Sequence, residues 1–378
     1  MMHLCHWNPY PIVDQFKTEA DQHEHWMRRC LLLASKGAGF AAPNPLVGAV
    51  LVHEGRVLAE GWHRSVGGPH AEVECLRSFG NGTIPSDAVL YVNLEPCAHH
   101  GRTPPCADLL VQRKVKHVVI GTLDPFPQVA GKGVAKLRDA GVQVTEDVLV
   151  DPCRWTQRRF LTSVGSGRPY VILKWARSAD GFMDMHPRYD RAVQRISGRT
   201  TDVLVHAWRA QEQAILVGSR TVLNDDPSLT VRHVKGPHPL RVVLDREGIT
   251  PTSSKVFGKD ARTLLFTAHA RPELSVDQVL IGANEDPLRR LLSELHQRSI
   301  RSVLVEGGAE MHRHFLDQGI WDEARVITGN ILFRKGTVEP KVQVPVTATR
   351  TIGDDRIDLH VNPASPMNAS LLNVARWD

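Results

Sequence analysis

Apolar positions recur at helical spacing over residues 21–37, where Trp26, Met27, Cys30, Leu31, Leu33 and Ala34 mark one face and Gly37 offers a stop. After the rigid turn Ala42-Pro43-Asn44-Pro45, residues 46–52 read as a strand, Glu54-Gly55 as a turn and 57–63 as the second arm of a hairpin. Helices at 70–79, 105–112 and 134–140 then alternate with strands at 89–94, 115–121 and 142–148. The stretch Gly165-Ser166-Gly167-Arg168-Pro169 reads as a linker, and the pattern restarts beyond it. Strands are expected at 170–175, 214–218, 240–244, 263–266, 279–281, 303–305, 324–328 and 356–361, with helices at 200–211, 287–297 and 309–318. Alternating strands and helices on both sides of a linker define an α/β chain of two units, each with its own core.

Length agrees with that division, since 378 residues suit about two domains. The 42% hydrophobic and 23% charged fractions are those of an ordinary globular chain, and no apolar run is long enough to span a membrane. The net charge of +5, from 46 basic and 41 acidic residues, is interspersed and forms no basic block. It fits a solvated surface or a phosphorylated small ligand and does not call for nucleic acid. The start, MMHLCHWNPYPIVD, lacks a basic stretch followed by an apolar core, and Pro9 and Pro11 make it irregular. Residues 1–20 are read as an extension outside the fold or a misplaced start, and the chain is expected in the cytoplasm. Six cysteines are too sparse for a disulfide scaffold, so their value depends on where they sit.

Two of them matter together with a histidine. His70-Ala71-Glu72 is followed by Pro96-Cys97 and, after eight intervening residues, by Cys106. One His and two Cys are the three protein donors of a catalytic zinc site, which leaves a fourth position for water and lowers that water's pKa. Glu72 is then the general acid/base, the arrangement of zinc deaminases. His70 and Glu72 open a helix, as does Cys106, and a helix start favours a thiolate. A closed structural site, completed by His99 or His100, is the alternative. Cys5, Cys30, Cys75 and Cys153 read as ordinary thiols, with Cys75 one helical turn from His70.

The run Leu94-Glu95-Pro96-Cys97-Ala98-His99-His100-Gly101-Arg102-Thr103-Pro104-Pro105-Cys106 resembles the deaminase domain of the bifunctional riboflavin-biosynthesis deaminase/reductase family. So do Pro43-Asn44-Pro45-Leu46-Val47-Gly48, Pro69-His70-Ala71-Glu72 and Pro127-Gln128-Val129-Ala130-Gly131-Lys132-Gly133. The resemblance implies a cytidine-deaminase-like three-layer domain that removes an exocyclic amine from a phosphoribosylated diaminopyrimidinone. It implies that Asn44 bonds the pyrimidine and that His100 and Arg102 contact the ribose phosphate. Phe126 stands where the family commonly has Asn.

The second half is less explicit on its own. Gly307-Gly308 sits at a strand-to-helix turn, Asn224 to Arg232 is a polar loop, and no G-x-G-x-x-G is present. Lys174 to Gly181, Gly218 to Leu223 with its following loop, and Val305-Glu306-Gly307-Gly308 resemble the reductase domain of the same family. That implies a dihydrofolate-reductase-like fold using NADPH to turn the ribosylamino group into ribitylamino. Carried over, Arg177, Ser178, Thr221, Asp225 and Gly308 contact NADPH, while Lys174, Arg209, Leu229, Arg232 and Glu306 hold the substrate. Arg195-Ile196-Ser197 replaces a Trp-Ile-Thr/Ser triplet. Arg195 exchanges a stacking surface for a cation and is assigned to the cofactor's phosphate or adenine.

The reading is therefore a zinc-dependent pyrimidine deaminase domain over residues 21–165 and an NADPH-dependent reductase domain over 166–378. The partner is a small phosphorylated pyrimidine, with no nucleic acid and no membrane, and a homo-oligomer is expected. A single-stranded nucleic-acid or nucleoside deaminase with an accessory domain is the competing reading, and a structural zinc protein the non-enzymatic one.

Overall fold

The computed structural model describes residues 16–99, 104–124, 130–188 and 194–365. Two compact units divide the chain, one comprising residues up to 41 and 45–156, the other 42–44 and 157 onward.

In the first unit α1 (Glu19–Ser35) starts at Thr18, whose side chain accepts from the Asp21 N–H at 3.1 Å. It buries Trp26, Met27, Cys30, Leu33 and Ala34. β1 (Gly48–His53) and β2 (Arg56–Trp62) form the expected hairpin. Glu54 at φ 48° and Gly55 at φ 69° make the left-handed pair that a two-residue turn needs. Then follow α2 (Ala71–Phe79), β3 (Val89–Val92), α3 (Cys106–Gln112), β4 (His117–Ile120), α4 (Lys132–Asp139) and β5 (Gln143–Thr145). The sheet order is β2-β1-β3-β4-β5, antiparallel at the hairpin side and parallel from β3 to β5.

Side chains alternate across this sheet. Ala49, Leu51, Leu90 and Val92 join the core under α2, α3 and α4, whereas Val50, Val52 and Tyr91 pack against α1. The unit is thus a helix–sheet–helix sandwich of three layers.

A helix that periodicity did not announce, α5 (Val150–Ser166), leads up to the expected linker and ends at the second of its residues. It buries Gln157, Arg158, Thr162 and Ser163, each at most 1% exposed, beside Cys153, Trp155 and Leu161, so polar residues interrupt the apolar stripe that would mark it. The second unit continues with β6 (Tyr170–Arg177), β7 (Phe182–Met185), α6 (Arg199–Gln211), β8 (Ala214–Gly218), α7 (Ser219–Asp225), β9 (Leu240–Leu244), β10 (Thr263–Thr267) and β11 (Asp277–Leu280). It closes with α8 (Pro287–Gln297), β12 (Ser302–Val305), α9 (Ala309–Asp317), β13 (Glu323–Thr328), β14 (Gly336–Val338), β15 (Ala348–Ile352) and β16 (Asp355–Val361). α8 shows how local sequence sets an element. Asp286 caps the Leu288 and Arg289 N–H groups at 2.9 and 3.0 Å, Pro287 occupies the first turn, and Leu288, Leu291, Leu292 and Leu295 form the buried stripe.

The nine-stranded sheet has the order β11-β10-β9-β8-β12-β6-β13-β16-β15. It is parallel from β11 to β13 and antiparallel at β16 and β15. Strands β6 and β12 are near-continuous apolar runs because helices cover both faces. Among the described residues, no helix is long and apolar enough to cross a membrane.

Candidate functional site

In the first unit the local folds bring three distant residues together. His70 is the residue that caps α2, with extended backbone at φ −70°, ψ 164°. Glu72 therefore lies in the first helical turn, 3% exposed. β2 presses directly on that turn: a Cβ at Gly61 would stand 2.2 Å from the Cys75 nitrogen and 2.5 Å from the Ala71 oxygen. Only glycine permits this approach, which fixes α2 against the sheet. Cys97 follows the end of β3, and Cys106 is the first residue of α3.

The His70 Nδ1 lies 3.3 Å from the Cys106 Sγ and 3.6 Å from the Cys97 Sγ. All three donor atoms fall within 4.8 Å of one another. Tetrahedral zinc with ordinary Zn–S and Zn–N lengths separates such N and S donors by about 3.6 Å, so the set fits the ion. Among the described residues the cluster contains these three alone; Cys75 is buried and turned to the Ala59 carbonyl at 3.5 Å, and His99 is exposed. The Cys106 thiol and His70 hold the Cys97 thiol far below its ordinary value, at about 4, and the shared proton pushes Cys106 up. Burial raises the Glu72 carboxyl to about 7. A carboxyl of that kind takes and returns a proton near neutrality.

Two residues, one within the Leu94 to Cys106 run and one just before it, hold this region in place. Glu95, 4% exposed, accepts the backbone N–H groups of Asp124, Gly131, Gly133 and Val134 at 2.8–3.3 Å. Gly133 lies so close that a Cβ would stand 1.9 Å from the Pro96 oxygen. Asn93 bonds Gly48 N–H at 2.8 Å and Leu46 O at 3.0 Å, fixing the segment just after Asn44. Asn44 itself sits half-buried in the turn before β1. His63 is the remaining support: its Nδ1 meets the Pro69 carbonyl at 2.9 Å and its ring lies 5.7 Å edge-on from that of His70. His100, Arg102 and Phe126 lie outside the described residues.

In the second unit a cavity of about 1340 Å³ opens at the carboxyl ends of β6, β8, β9 and β12, where open parallel sheets take ligands. Its lining brings together Lys174, Arg195, Arg209, Thr221, Asp225, Leu229, Arg232, Glu306 and Gly308. The Glu306 carboxylate receives Arg209 in a two-pronged pair, both N–O distances 2.8 Å, and Lys174 at 3.5 Å. Burial alone would raise Glu306, but the two cations hold it well below the usual carboxylate range. Arg209 is thereby committed to Glu306, leaving Arg232, which bonds Thr230 Oγ1 at 3.2 Å and Ser228 Oγ, as the more exposed guanidinium. Leu229 is 2% exposed with φ 54°, a strained path for a leucine.

Asp225 pairs with Arg188 at 2.7 Å, and Arg188 also forks onto Asp184 at 2.8 Å twice, a link no motif announced. Arg195 is exposed and paired with Asp202. Arg177 and Ser178 are absent from the cavity's lining. Arg177 binds Thr328 Oγ1 at 2.9 Å and Glu339, while Ser178 Oγ donates to Asp180 at 2.6 Å and accepts from the Phe182 N–H at 3.0 Å.

Burial and the nearby Lys174 push His312 down to about 3, and burial with Arg209 and Arg232 pushes His206 down to about 4. Both folded values lie below the ordinary 6.5, so each histidine's contribution is intact above pH 6.5 and is lost as pH falls towards its folded value. Stability is expected to fall between pH 7.5 and 5, by about 2 kcal/mol per such histidine, and the thermal midpoint with it. His312→Leu should blunt the drop; a midpoint flat over that range would contradict the assignment.

Fold and sites define a two-domain enzyme with a deaminase-type metal cluster in one unit and a sheet-end cavity in the other. Residues 20–122 match the cytidine and deoxycytidylate deaminase zinc-binding region, and residues 169–343 match the RibD C-terminal domain. The riboflavin biosynthesis protein RibD of Aquifex aeolicus is 36% identical over 353 residues, covering 88% of this chain and 97% of that protein. The RibD of Actinobacillus pleuropneumoniae is 39% identical over 319 residues, 81% of this chain and 83% of its own. A Thermotoga maritima crystal structure described as a diaminohydroxyphosphoribosylaminopyrimidine deaminase/5-amino-6-(5-phosphoribosylamino)uracil reductase superposes with TM-score 0.83 at 36% identity, covering 91% of this chain and all of that one. Acinetobacter baumannii RibD superposes with TM-score 0.82 at 34% identity, over 91% and 99% of the two chains. The chain belongs to the RibD family of bifunctional riboflavin-biosynthesis enzymes, with a zinc-binding deaminase domain and a reductase domain.

Proposed function

We propose that the first unit deaminates 2,5-diamino-6-(5-phosphoribosylamino)pyrimidin-4-one and that the second reduces the ribosyl side chain of the product to ribityl with NADPH. The observation that carries this reading is one chain holding both the His70, Cys97 and Cys106 cluster beside a buried Glu72 and a cavity of about 1340 Å³ at the strand ends. The two activities named for the Thermotoga maritima structure are consecutive changes to one molecule.

Zinc held by His70, Cys97 and Cys106 would polarise and acidify a water molecule. Glu72 takes the proton from that water and delivers it to the departing ammonia. Its place in the first turn of α2 keeps the carboxyl next to its donors throughout. Asn44 orients the pyrimidine, and His100 and Arg102 receive the phosphate.

NADPH would supply hydride to the sugar C1 in the second unit. The cavity, at about 1340 Å³, has room for a dinucleotide beside a sugar phosphate, and Gly308, Thr221 and Asp225 line it together. Gly308 caps α9, whose first N–H groups suit a phosphate. Lys174 and Glu306 face the sugar, with Arg209 keeping Glu306 charged and aimed. Leu229 walls the site, and Arg232 offers a planar fork for the substrate phosphate. Arg177 and Ser178 shape the turn after β6, and reach the cofactor's edge only through it.

Purified protein given the diaminopyrimidinone and NADPH should release ammonia and oxidise NADPH; the absence of both would sink the reading. Cys106→Ala should lower bound zinc and abolish ammonia release while NADPH oxidation on the pre-deaminated substrate persists. Retained zinc by metal analysis would remove Cys106 from the ligand set.

A further inference from the structure

The cavity of the second unit contains a histidine that neither the motifs nor the mechanism above employ. His206 lies on α6 one turn before Arg209, is 4% exposed and lines the cavity. Its Nδ1 is 2.9 Å from the backbone nitrogen of Arg232, which donates to it. The preceding amide, Val231 N–H, donates to the Nδ1 of a second histidine, His238, at 3.1 Å. Two successive backbone amides are thus held by two imidazoles, one from α6 and one from the loop before β9.

The segment they hold is under strain. Asp226 at φ 40° and Leu229 at φ 54° are both left-handed without being glycine. Such conformations persist only where surrounding contacts over-determine them. The Arg241 guanidinium reaches the Ser228 carbonyl at 3.4 Å, and Asp226 accepts the Lys255 N–H at 2.9 Å. Those contacts fix the first half of the segment. The second half, which carries Arg232, is fixed by His206 and His238.

An acceptor is required at this place, and an ordinary one would serve badly. A carboxylate between Arg209 and Arg232 would pair with their guanidiniums and compete with Glu306 or the substrate phosphate. A neutral imidazole accepts the amide without that competition. Its ring also rests edge-on against His233, 4.4 Å between centroids, which sets its plane.

We propose that His206 is a positioning residue of the reductase site: its Nδ1 accepts the Arg232 backbone N–H and thereby aims the Arg232 guanidinium at the phosphate of the substrate. The inference rests on the reading that this cavity takes a phosphorylated sugar, and the test separates the two.

His206→Asn keeps an acceptor oxygen two bonds from Cβ, where Nδ1 was. His206→Leu removes the acceptor, and His206→Gln moves it one bond farther out. On the pre-deaminated substrate, His206→Leu and His206→Gln should raise the reductase KM by roughly tenfold or more with kcat changed far less, and His206→Asn should stay near wild type. Ammonia release from the first unit should be unaffected in all three. Hydrogen exchange of the peptide containing Val231 and Arg232, followed by mass spectrometry without any ligand, should speed up in His206→Leu and His206→Gln but not in His206→Asn. An unchanged KM in the presence of faster exchange would overturn the aiming role. Unchanged exchange in His206→Leu, or His206→Asn as impaired as His206→Leu, would overturn the proposal outright. If His206→Leu does not fold, the Asn and Gln pair gives the same comparison. If wild-type protein oxidises no NADPH with this substrate, the functional reading fails, while the exchange result still decides whether His206 holds the segment.

Discussion

Replacing Glu72 by Gln is expected to cut deamination by about 10²–10⁴-fold, the range that a positioned proton carrier contributes. Zinc content should stay at the wild-type level, because His70, Cys97 and Cys106 supply the donors and Glu72 lies outside the cluster. Gln preserves the volume of a side chain only 3% exposed, so the fold of α2 should survive and the melting temperature should barely move. Reduction of pre-deaminated substrate should be untouched. This combination isolates proton transfer from metal binding and from folding. Loss of zinc in the Gln variant would show Glu72 to be part of the metal site. Wild-type turnover would show that another group carries the proton, with His63, which supports the loop before His70 through the Pro69 carbonyl, the first to examine.

The zinc cluster was legible because its chemistry is written locally. His70 and Glu72 are two residues apart, Cys97 and Cys106 nine, and each falls at the edge of an element that periodicity places. The α/β alternation was equally legible, and the bounds of α8, β8 and β9 coincide with the pattern because apolar runs and caps agree there. What escaped has a common cause. α5 buries Gln157, Arg158, Thr162 and Ser163 among Cys153, Trp155 and Leu161, and Arg158 and Ser163 bond residues distant in sequence, so its inward face reads as mixed. β7 and β14 pair across about 150 residues, and neither is apolar enough to be seen alone. Glu95, Arg188 and His206 act on backbone groups or through other side chains, and such work leaves no spacing signature. Resemblance to the family supplied the reductase residues, but only the structure showed Arg209 committed to Glu306 and Arg177 to Glu339.

The largest expected effect on stability comes from Glu323, in β13. It is 1% exposed, and its donors include Arg325 Nε at 2.6 Å, Arg158 Nε at 3.3 Å and the Tyr170 hydroxyl at 3.2 Å. Both arginines are also 1% exposed, and each lies over an aromatic ring, Arg325 4.7 Å from Trp208 and Arg158 5.8 Å from Tyr170. Ring faces attract cations but do not neutralise them. Glu323→Leu therefore leaves two buried guanidiniums without the carboxylate between them, a change that costs about 3–5 kcal/mol. For a unit of this size that corresponds to a midpoint lowered by roughly 10 °C. The cause is the stranded charge rather than the lost contacts, and this can be separated. Adding Arg325→Met to Glu323→Leu removes one stranded cation and should recover part of the loss, although the double variant has fewer polar bonds than the single one. Because α5 carries Arg158 and β13 carries Glu323, the loss should appear in the melting of the second unit and in NADPH oxidation before it appears in ammonia release. A single variant within 1 kcal/mol of wild type, or a double variant less stable than the single, would show that the charges are solvated by other means and that this cluster is not what holds α5 to the sheet.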